Sequence, residues 1–529
     1  MNSIKVLDVT LRDGGCVNNF NFGASYINKI LSAQENSGVD IIELGYLDSR
    51  DGSRSERTQY IDEKVIYQSV LRKKKHGVEY VAMMDYGKFD VDKLENRNDN
   101  GIDGIRLAFH KANKMDVIPL CKSIMNKGYK LYFQPMVTLR YSDVELIELI
   151  QEVNRNLPDA SGFYIVDSFG EMRANDMSRI LNLVDHNLIP TMKIGFHSHN
   201  NLQMSYSNAI AMLQHQTNRD FIIDSSIMGM GKGAGNLNTE LLLEHLNIFY
   251  GKNYNISPLL EVIDTVINQI HAEFYWGYAP EYYLSAVNHC TPSYASYFYS
   301  KHMLPIEQIS DLLRLIDDNK KLSFDSAYAE DLYRLYNENK SINDTETLKI
   351  LHQLFGGKTV LLVAPGKSML LAENMVKDIA NRDDVIAIGV NTMFEFNEYI
   401  IATRKDLFTK AVEDNRKLIV PSNITRTMRD NVKIVNYANW IDVDEKTHDS
   451  STVIALKLLS YCQAEKVLMA GFDGFSMDMN KNYHDGDLRH PMTSYQAEEE
   501  NKYYKNFIKK MMQEGLNIEF ITDSLFIST

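Results

Sequence analysis

The sequence predicts an α/β protein: an N-terminal TIM-type (β/α)8 barrel, a helical extension, and a C-terminal Rossmann-like doubly wound domain. Three observations lead there. The chain has 529 residues, 44% of them hydrophobic and 24% charged, which is too long for one ordinary domain and rich enough to fill more than one core. Eight strand-like segments alternate with helix-like ones over roughly the first 250 residues, the count and length of a closed eight-stranded barrel. The alternation restarts after Gly357, beyond a stretch where strands are scarce. The expected boundaries are 1–254, 255–355 and 356–529.

The barrel strands are expected at 4–13, 40–46, 79–85, 104–110, 130–138, 162–168, 192–199 and 220–228. Each is apolar, and most are rich in Val, Ile, Tyr or Phe, as parallel strands covered on both faces should be. A helix is expected after each, clearest at 112–127, 142–157 and 202–216. An open doubly wound sheet would give the same alternation. Residues 255–355 read as mostly helical, aromatic through HAEFYWGYAPEYYLSA and then charged. Beyond Gly357, KTVLLVAPG, DDVIAIGVN, EYIIATR, RKLIVPSN, NVKIVNYA, KVLMAGFDG and LNIEFIT read as strands, with helices at 369–381, 451–464 and 495–514.

The formal net charge of -14 gives no global attraction to nucleic acid or to an anionic membrane. The start, MNSIKVLDVTLRDGG, lacks the apolar core of a signal peptide, and no long uncharged apolar run follows. A cytoplasmic homo-oligomer acting on small molecules, with no membrane insertion, is expected. The four cysteines are scattered and form no CxxC, which argues against a disulfide framework or a structural zinc site.

Chemistry in such a barrel sits where strands end at the carboxyl face. Strand one is expected to end on Arg12-Asp13, with Gly14 and Gly15 letting the backbone turn. Strand two carries Glu43, strand four ends at His110, strand six at Asp167-Ser168, and strand seven at His197-Ser198-His199. His197 and His199 are two apart, so on a strand they share a face and can bind one metal ion together. Asp13 can add a carboxylate oxygen. Mixed N and O donors suit Mn²⁺, Mg²⁺, Co²⁺, Fe²⁺ or Zn²⁺. Arg12 can hold an oxygen on which negative charge develops, or form a salt bridge with Glu43 or Asp167. The glycines at 229, 231, 233 and 235 can turn backbone amides toward an anion, with Asn236 or Asn238 capping the next helix.

LDVTLRDGG, DIIELGY, GFHSHNN and MGMGKGAGNLNTE, in that order and spacing, resemble the DRE-TIM metallolyase superfamily over residues 4–290. That group includes 4-hydroxy-2-oxovalerate aldolase, hydroxymethylglutaryl-CoA lyase, and the isopropylmalate and homocitrate synthases, and the aldolase branch is the nearest likeness. The resemblance implies Asp13, His197 and His199 as metal ligands, Asn236 as completing the metal shell, and Arg12 as the enolate-stabilising residue. It implies a divalent metal, Mn²⁺ or Mg²⁺ before Zn²⁺ or Co²⁺. The implied chemistry makes or breaks a C–C bond through a metal-bound enolate of a 2-keto acid such as pyruvate, with an aldehyde or sugar as the other substrate. Glu43 and His110 are further catalytic candidates, and Asp167, Ser168 and Gly233 are placed to meet substrate. One position departs from the pattern. Pathway aldolases carry a basic histidine three residues after the ligand aspartate, and here that place is Cys16. Cys16 stays a catalytic candidate, its thiol a poor base unless Arg12 or the metal lowers its pKa, and a base relocated to His110, Tyr282, Tyr283 or a metal-bound water ranks ahead of it. Tyr275, Trp276 and Tyr278 read as packing.

In the C-terminal domain, Val363-Ala364-Pro365-Gly366-Lys367-Ser368 ends like a P-loop. Leu361 stands where its first glycine belongs, so Walker A is rejected, and G-x-G-x-x-G is missing. What remains is a strand–loop–helix whose Gly366, Lys367 and Ser368 could hold a phosphate. Asp473 and the loop with His484, Asp485, Asp487, Arg489 and His490 faintly resemble sialyltransferase-like domains that bind nucleotide sugars. Together these readings point to an aldolase or lyase in carbohydrate or cell-surface polysaccharide synthesis. An acetyl-CoA-dependent synthase is one alternative. The other is an inactive barrel fused to a sugar-nucleotide-binding or transferase domain.

Overall fold

The computed structural model describes residues 3–50, 56–71, 73–301, 303–441, 449–484, 492 and 494–527. Two compact units divide the chain, Met1–Pro292 and Ser293–Thr529. The division falls inside the 255–355 segment. Its helices Ser257–Val262, Asn268–Glu273 and Pro280–Val287 lie in the first unit, and Ile306–Leu315, Ser326–Asn339 and Thr345–Phe355 in the second.

In the first unit the strands are β1 (Ile4–Asp8), β2 (Ile41–Leu47), the two-residue β3 (Gln59–Tyr60), β4 (Glu79–Asp85), β5 (Gly104–Phe109), β6 (Lys130–Pro135), β7 (Gly162–Asp167), β8 (Lys193–Ser198) and β9 (Phe221–Ser225). All pair in parallel, and β1 pairs with both β2 and β9, closing a barrel of eight with β3 added outside β2. Around it lie α1 (Ala24–Ser37), α2 (Glu63–Ser69), α3 (Val117–Asn126), α4 (Asp143–Asn156), α5 (Ala174–Asn187), α6 (Ser205–Leu213) and α7 (Thr239–Tyr250). The expected helix after every strand fails once. Among the described residues β4 is followed only by a 3-10 turn, Val91–Lys93. That stretch is rich in Asn, Asp and Gly, which favour turns over helix. Phe89, Val91 and Leu94 still bury there and cover the barrel wall.

The side-chain period of two sets the interior. On β5, Ile105, Leu107 and Phe109 face the helices, while Arg106 points inward. An apolar plug of Leu7, Val9, Ile41, Val81, Tyr132, Tyr164, Val166 and Ile222 fills the barrel. Tyr132 and Tyr164 meet edge to face at 6.3 Å, and the Arg106 guanidinium lies 4.8 Å from the Tyr164 ring centre.

Strand one is shorter than expected. It stops at Asp8, and the Val9 carbonyl then accepts from the amides of Arg12 (3.0 Å) and Asp13 (2.8 Å). The apolar alternation of Val9 and Leu11 mimics a strand, but those hydrogen bonds make a tight turn that folds Arg12 and Asp13 over the barrel mouth. Asp8 fastens the turn by accepting from the Gln34 amide, the Thr239 hydroxyl and the Thr10 amide. A Cβ on Gly15 would sit 2.4 Å from the Phe20 ring, so this corner is too tight for a side chain.

The second unit holds β10 (Thr359–Val363), β11 (Val385–Val390), β12 (Tyr399–Ile401), β13 (Lys417–Pro421), β14 (Val432–Val435), β15 (Lys466–Ala470) and β16 (Ile518–Phe520). The sheet order is β14-β13-β12-β11-β10-β15-β16, all parallel. Apolar clusters cover both faces, as a doubly wound sheet requires. The expected strands and helices are all present there, each end within a few residues.

A bulge in β2 between Glu43 and Tyr46 turns both side chains into the barrel mouth. Gly45 makes it possible, with φ of +150° and space for no side chain: a Cβ would stand 2.1 Å from the Thr58 carbonyl oxygen. Gly45→Ala is expected to destabilise the barrel by about 3 kcal/mol. Scanning calorimetry checks it, and an unchanged thermal midpoint would refute this account of the bulge.

Candidate metal centre

Asp13, His197 and His199 come together at the barrel mouth, each offering one donor atom within 4.8 Å of the others. His197 is the last but one residue of β8 and His199 lies just past its end, and their ring centres are 5.4 Å apart. His197 Nε2 is 3.3 Å and His199 Nε2 3.8 Å from Asp13 Oδ2. Such a set of two imidazoles and a carboxylate can hold a divalent cation.

Unsatisfied atoms surround the same point. Asn236 donates to the Met230 carbonyl at 3.1 Å, which leaves its buried Oδ1 without a protein partner. A bridge between His199 and Asn236 sets the two side by side. The Arg12 Nη2 group is also buried without a partner. An orphaned acceptor and an orphaned guanidinium nitrogen next to three metal donors fit a cation with an anionic oxygen beside it.

Arg12 is locked at its other nitrogens. Nε donates to Glu43 Oε2 at 2.7 Å and Nη1 to Asp13 Oδ2 at 2.7 Å. Burial works against its charge, but Glu43 and Asp13 raise its pKa further. Glu43 Oε2 also accepts from Arg106 Nη1 at 2.8 Å, and Arg106 Nη2 donates to Asp224. Asp224 Oδ2 lies 3.0 Å from His197 Nδ1. This carboxylate selects the tautomer that leaves Nε2 free as a ligand. Glu43 thus bridges two arginines.

The protonation of the centre follows from these contacts. Burial would raise Asp13, but Arg12 and the two histidines hold its carboxyl well below the usual range. Burial would lower His197, but Asp13 and Asp224, one at each ring nitrogen, raise it. His199 falls to about 4, chiefly through burial, so it offers a lone pair at neutral pH.

Other expected residues are spent elsewhere. The Asp167 carboxylate accepts from the Glu171 and Met172 amides, both at 3.0 Å, and burial pushes its pKa up to about 7. Ser168 Oγ accepts from the Val137 amide. His110 is exposed at the end of β5. In the glycine loop, the Ala234 amide donates to Asn201 and the Lys232 amide approaches Asp13 Oδ1 at 3.5 Å. Gly233 leaves room for Asn201, whose oxygen would be 2.8 Å from a Cβ there. Neither Asn236 nor Asn238 caps α7 through its side chain. Trp276 is buried and donates to the Met228 carbonyl at 3.0 Å, fastening the loop, while Tyr275 and Tyr278 stand exposed. Cys16 is exposed at the mouth. Burial raises a thiol only where water is kept from it, so at this exposed position the nearby Asp13 carboxylate is what raises it.

In the second unit, the Ser368 amide donates to Asp473 Oδ2 at 2.8 Å and the Ser368 hydroxyl to Oδ1. Gly366 presses on the same carboxylate. Lys367 stands at the N-cap of the helix Ser368–Ala380. His484 donates its amide to the Pro365 carbonyl. Asp485, Asp487, Arg489 and His490 lie outside the described residues.

Arg106 and Asp224 escaped the sequence reading. Each is a lone charge in an apolar strand, IRLAF and FIIDS, and a charge buried in such a run requires a partner.

Residues 3–266 match the family model described as HMGL-like. Among similar proteins, the 4-hydroxy-2-oxovalerate aldolase of Pseudoalteromonas translucida is 30% identical over 261 residues, 48% of this chain and 74% of that one. The 4-hydroxy-2-oxovalerate aldolase of Geobacillus genomosp. 3 is 28% identical over 250 residues, 46% of this chain and 71% of the relative. Among solved structures, the N-terminal domain of a Bacteroides vulgatus protein aligns with a TM-score of 0.47 at 26% identity, covering 56% of this chain and 96% of that one. No helix among the described residues is long and apolar enough to cross a membrane.

Asp224→Asn keeps the shape of the side chain but removes the charge that orients His197. Mn²⁺ affinity measured by calorimetry is expected to fall roughly 10- to 100-fold. An unchanged affinity would show that Asp224 does not orient the ligand.

Proposed function

The chain belongs to the HMGL-like family through residues 3–266, and from that premise we propose that its barrel is a divalent-metal aldolase or lyase. It would form or cleave a C–C bond next to the carbonyl of a 2-keto acid of the pyruvate type. The observation that carries this is the buried Asp13–His197–His199 set with the unpartnered Arg12 Nη2 beside it.

A bound divalent cation supplies Lewis acidity toward the keto and carboxylate oxygens of such a substrate. The protein supplies the rest. Arg12, held at Nε by Glu43 and at Nη1 by Asp13, directs its remaining nitrogen at an oxygen that gains negative charge as the bond changes. Its geometry is set before substrate arrives, so the interaction costs no reorganisation during reaction. Asp224 holds His197 in one tautomer. The Cys16 thiol, raised rather than lowered by the Asp13 charge beside it, is neutral at pH 7 and a poor base. Proton transfer then falls to another group, and His110, Tyr282 and Tyr283 are the side chains to test.

The change at Cys16 separates the family's chemistry from the substrate of its pathway aldolases. We read the acceptor as an aldehyde or sugar and the setting as carbohydrate or cell-surface polysaccharide synthesis. The fused α/β unit supports that reading as a domain for a phosphorylated or nucleotide-linked sugar.

His197→Ala and His199→Ala are each expected to abolish pyruvate-dependent C–C chemistry assayed with added Mn²⁺, and Arg12→Lys to lower kcat roughly 100-fold. Cys16→Ser should stay within a few-fold of the parent. Full activity in either histidine variant would sink the site assignment, and a large loss in Cys16→Ser would return the base role to the thiol.

A further inference from the structure

The sheet of the second unit has one point where strand order reverses. From β10 the chain builds outward to β14 on one side, then returns to place β15 and β16 on the other. Loops leaving β10 and β15 therefore part, and a crevice opens at the carboxyl ends of these two strands, where open α/β sheets bind ligands. A cavity of about 460 Å³ lies there, floored by Ala364–Gly366 after β10 and Gly471–Gly474 after β15.

One wall is aromatic, made by Phe475, Tyr483, Tyr504 and Phe526. Phe475 lies 5.7 Å from Tyr504, and Tyr504 lies 5.4 Å from Phe526, between ring centres. Carboxylates line the cavity too: Asp473, held by Ser368, Asp449, which accepts from the Tyr333 and Tyr437 hydroxyls, and Glu500, one helical turn before Tyr504 on the aromatic side. Among the described lining residues Arg404 is the one cation, and it is paired with Asp406 at 3.1 Å. A bare anion entering this cavity meets more negative than positive charge.

The place where a phosphate would sit is filled as well. The start of the helix Ser368–Ala380 presents the amide that would hold an anion, and Asp473 has taken it. A Cβ on Gly366 would lie 2.5 Å from Asp473 Oδ1, so the carboxylate lies flat against the loop. The protein's own acid stands where the sequence placed a phosphate.

We propose that the switch-point cavity binds a hydroxyl-rich ring, the sugar or nucleoside part of a ligand, and excludes free phosphate. The ring's apolar face lies on the aromatic wall, and its hydroxyls donate to the Glu500 carboxylate beside that wall, as ribose hydroxyls do to acidic residues in doubly wound domains. The proposal rests on reading the second unit as a sugar-nucleotide domain and adds the site and the part of the ligand it recognises.

The test titrates the full chain by calorimetry with glucose, uridine, cytidine, UDP-glucose and inorganic phosphate. A ring-bearing probe is expected to bind and phosphate alone is not. Phe475→Ala is expected to weaken that binding about tenfold or more. Glu500→Gln, which keeps its size, should weaken it too and decides the matter if the phenylalanine variant does not fold. Asp473→Ala should gain phosphate binding. Phosphate binding to the parent chain, or no gain in Asp473→Ala, would overturn the proposal. UDP-glucose binding untouched by both ring-site substitutions would overturn it while leaving the sugar-nucleotide reading in place. Binding by none of the ring-bearing probes would end both.

Discussion

The first unit depends on a closed ring of six buried side chains. Asp13 contacts Arg12, Arg12 contacts Glu43, Glu43 contacts Arg106, Arg106 contacts Asp224, Asp224 contacts His197, and His197 returns to Asp13. They come from the turn after β1 and from β2, β5, β8 and β9, so the ring ties strands across the barrel. Each of these charges loses several kcal/mol of hydration on burial. Only mutual contact offsets that loss, and every member depends on its neighbours. Removing one partner from such a set costs about 3–5 kcal/mol, because the other is left buried and alone. The apolar plug beneath keeps water from relieving that dependence, and the turn held by the Val9 carbonyl brings Arg12 and Asp13 within reach.

The sequence disclosed the parts of this arrangement that follow a local period. Two histidines two apart at a strand end declare a shared face, and LRD after an apolar run declares polar groups at the mouth. What closes the ring lies at long range. Arg106 and Asp224 are 118 residues apart, and each sits in a strand whose apolar neighbours hide it. The end of β1 was obscured for a related reason. Val9 and Leu11 keep the alternation of a strand, and the turn is set by one carbonyl that accepts several amides. In the second unit the strands were legible because buried parallel strands are continuous apolar runs. The use of the Ser368 amide was not legible, since its partner Asp473 is 105 residues away.

Cys16 illustrates how the ring partitions function from position. It follows the ligand aspartate by three residues yet makes none of the six contacts, and its thiol is held neutral by its surroundings. A change there can alter proton transfer without loosening the metal donors, because those are fixed by Arg12, Asp224 and the strands beneath. On the proposed function, this separates the groups that would activate a 2-keto acid from those that would set its partner and the fate of its proton.

The two units handle a buried carboxylate in opposite ways. In the barrel, three carboxylates face two guanidiniums, so with His197 neutral the ring retains one negative charge. A divalent cation held there would reverse that sign, and one carboxylate of the proposed 2-keto acid would then bring the site to neutrality. Cation and anionic substrate are each stabilised by the other's presence. In the second unit the carboxylate of Asp473 is satisfied by the start of a helix, which spends the anion-binding power of that helix within the protein. On the proposal made for this unit, recognition would pass to the aromatic wall and to the Glu500 carboxylate. On the proposed readings the barrel would take a charged reacting end, and the α/β unit a neutral ring.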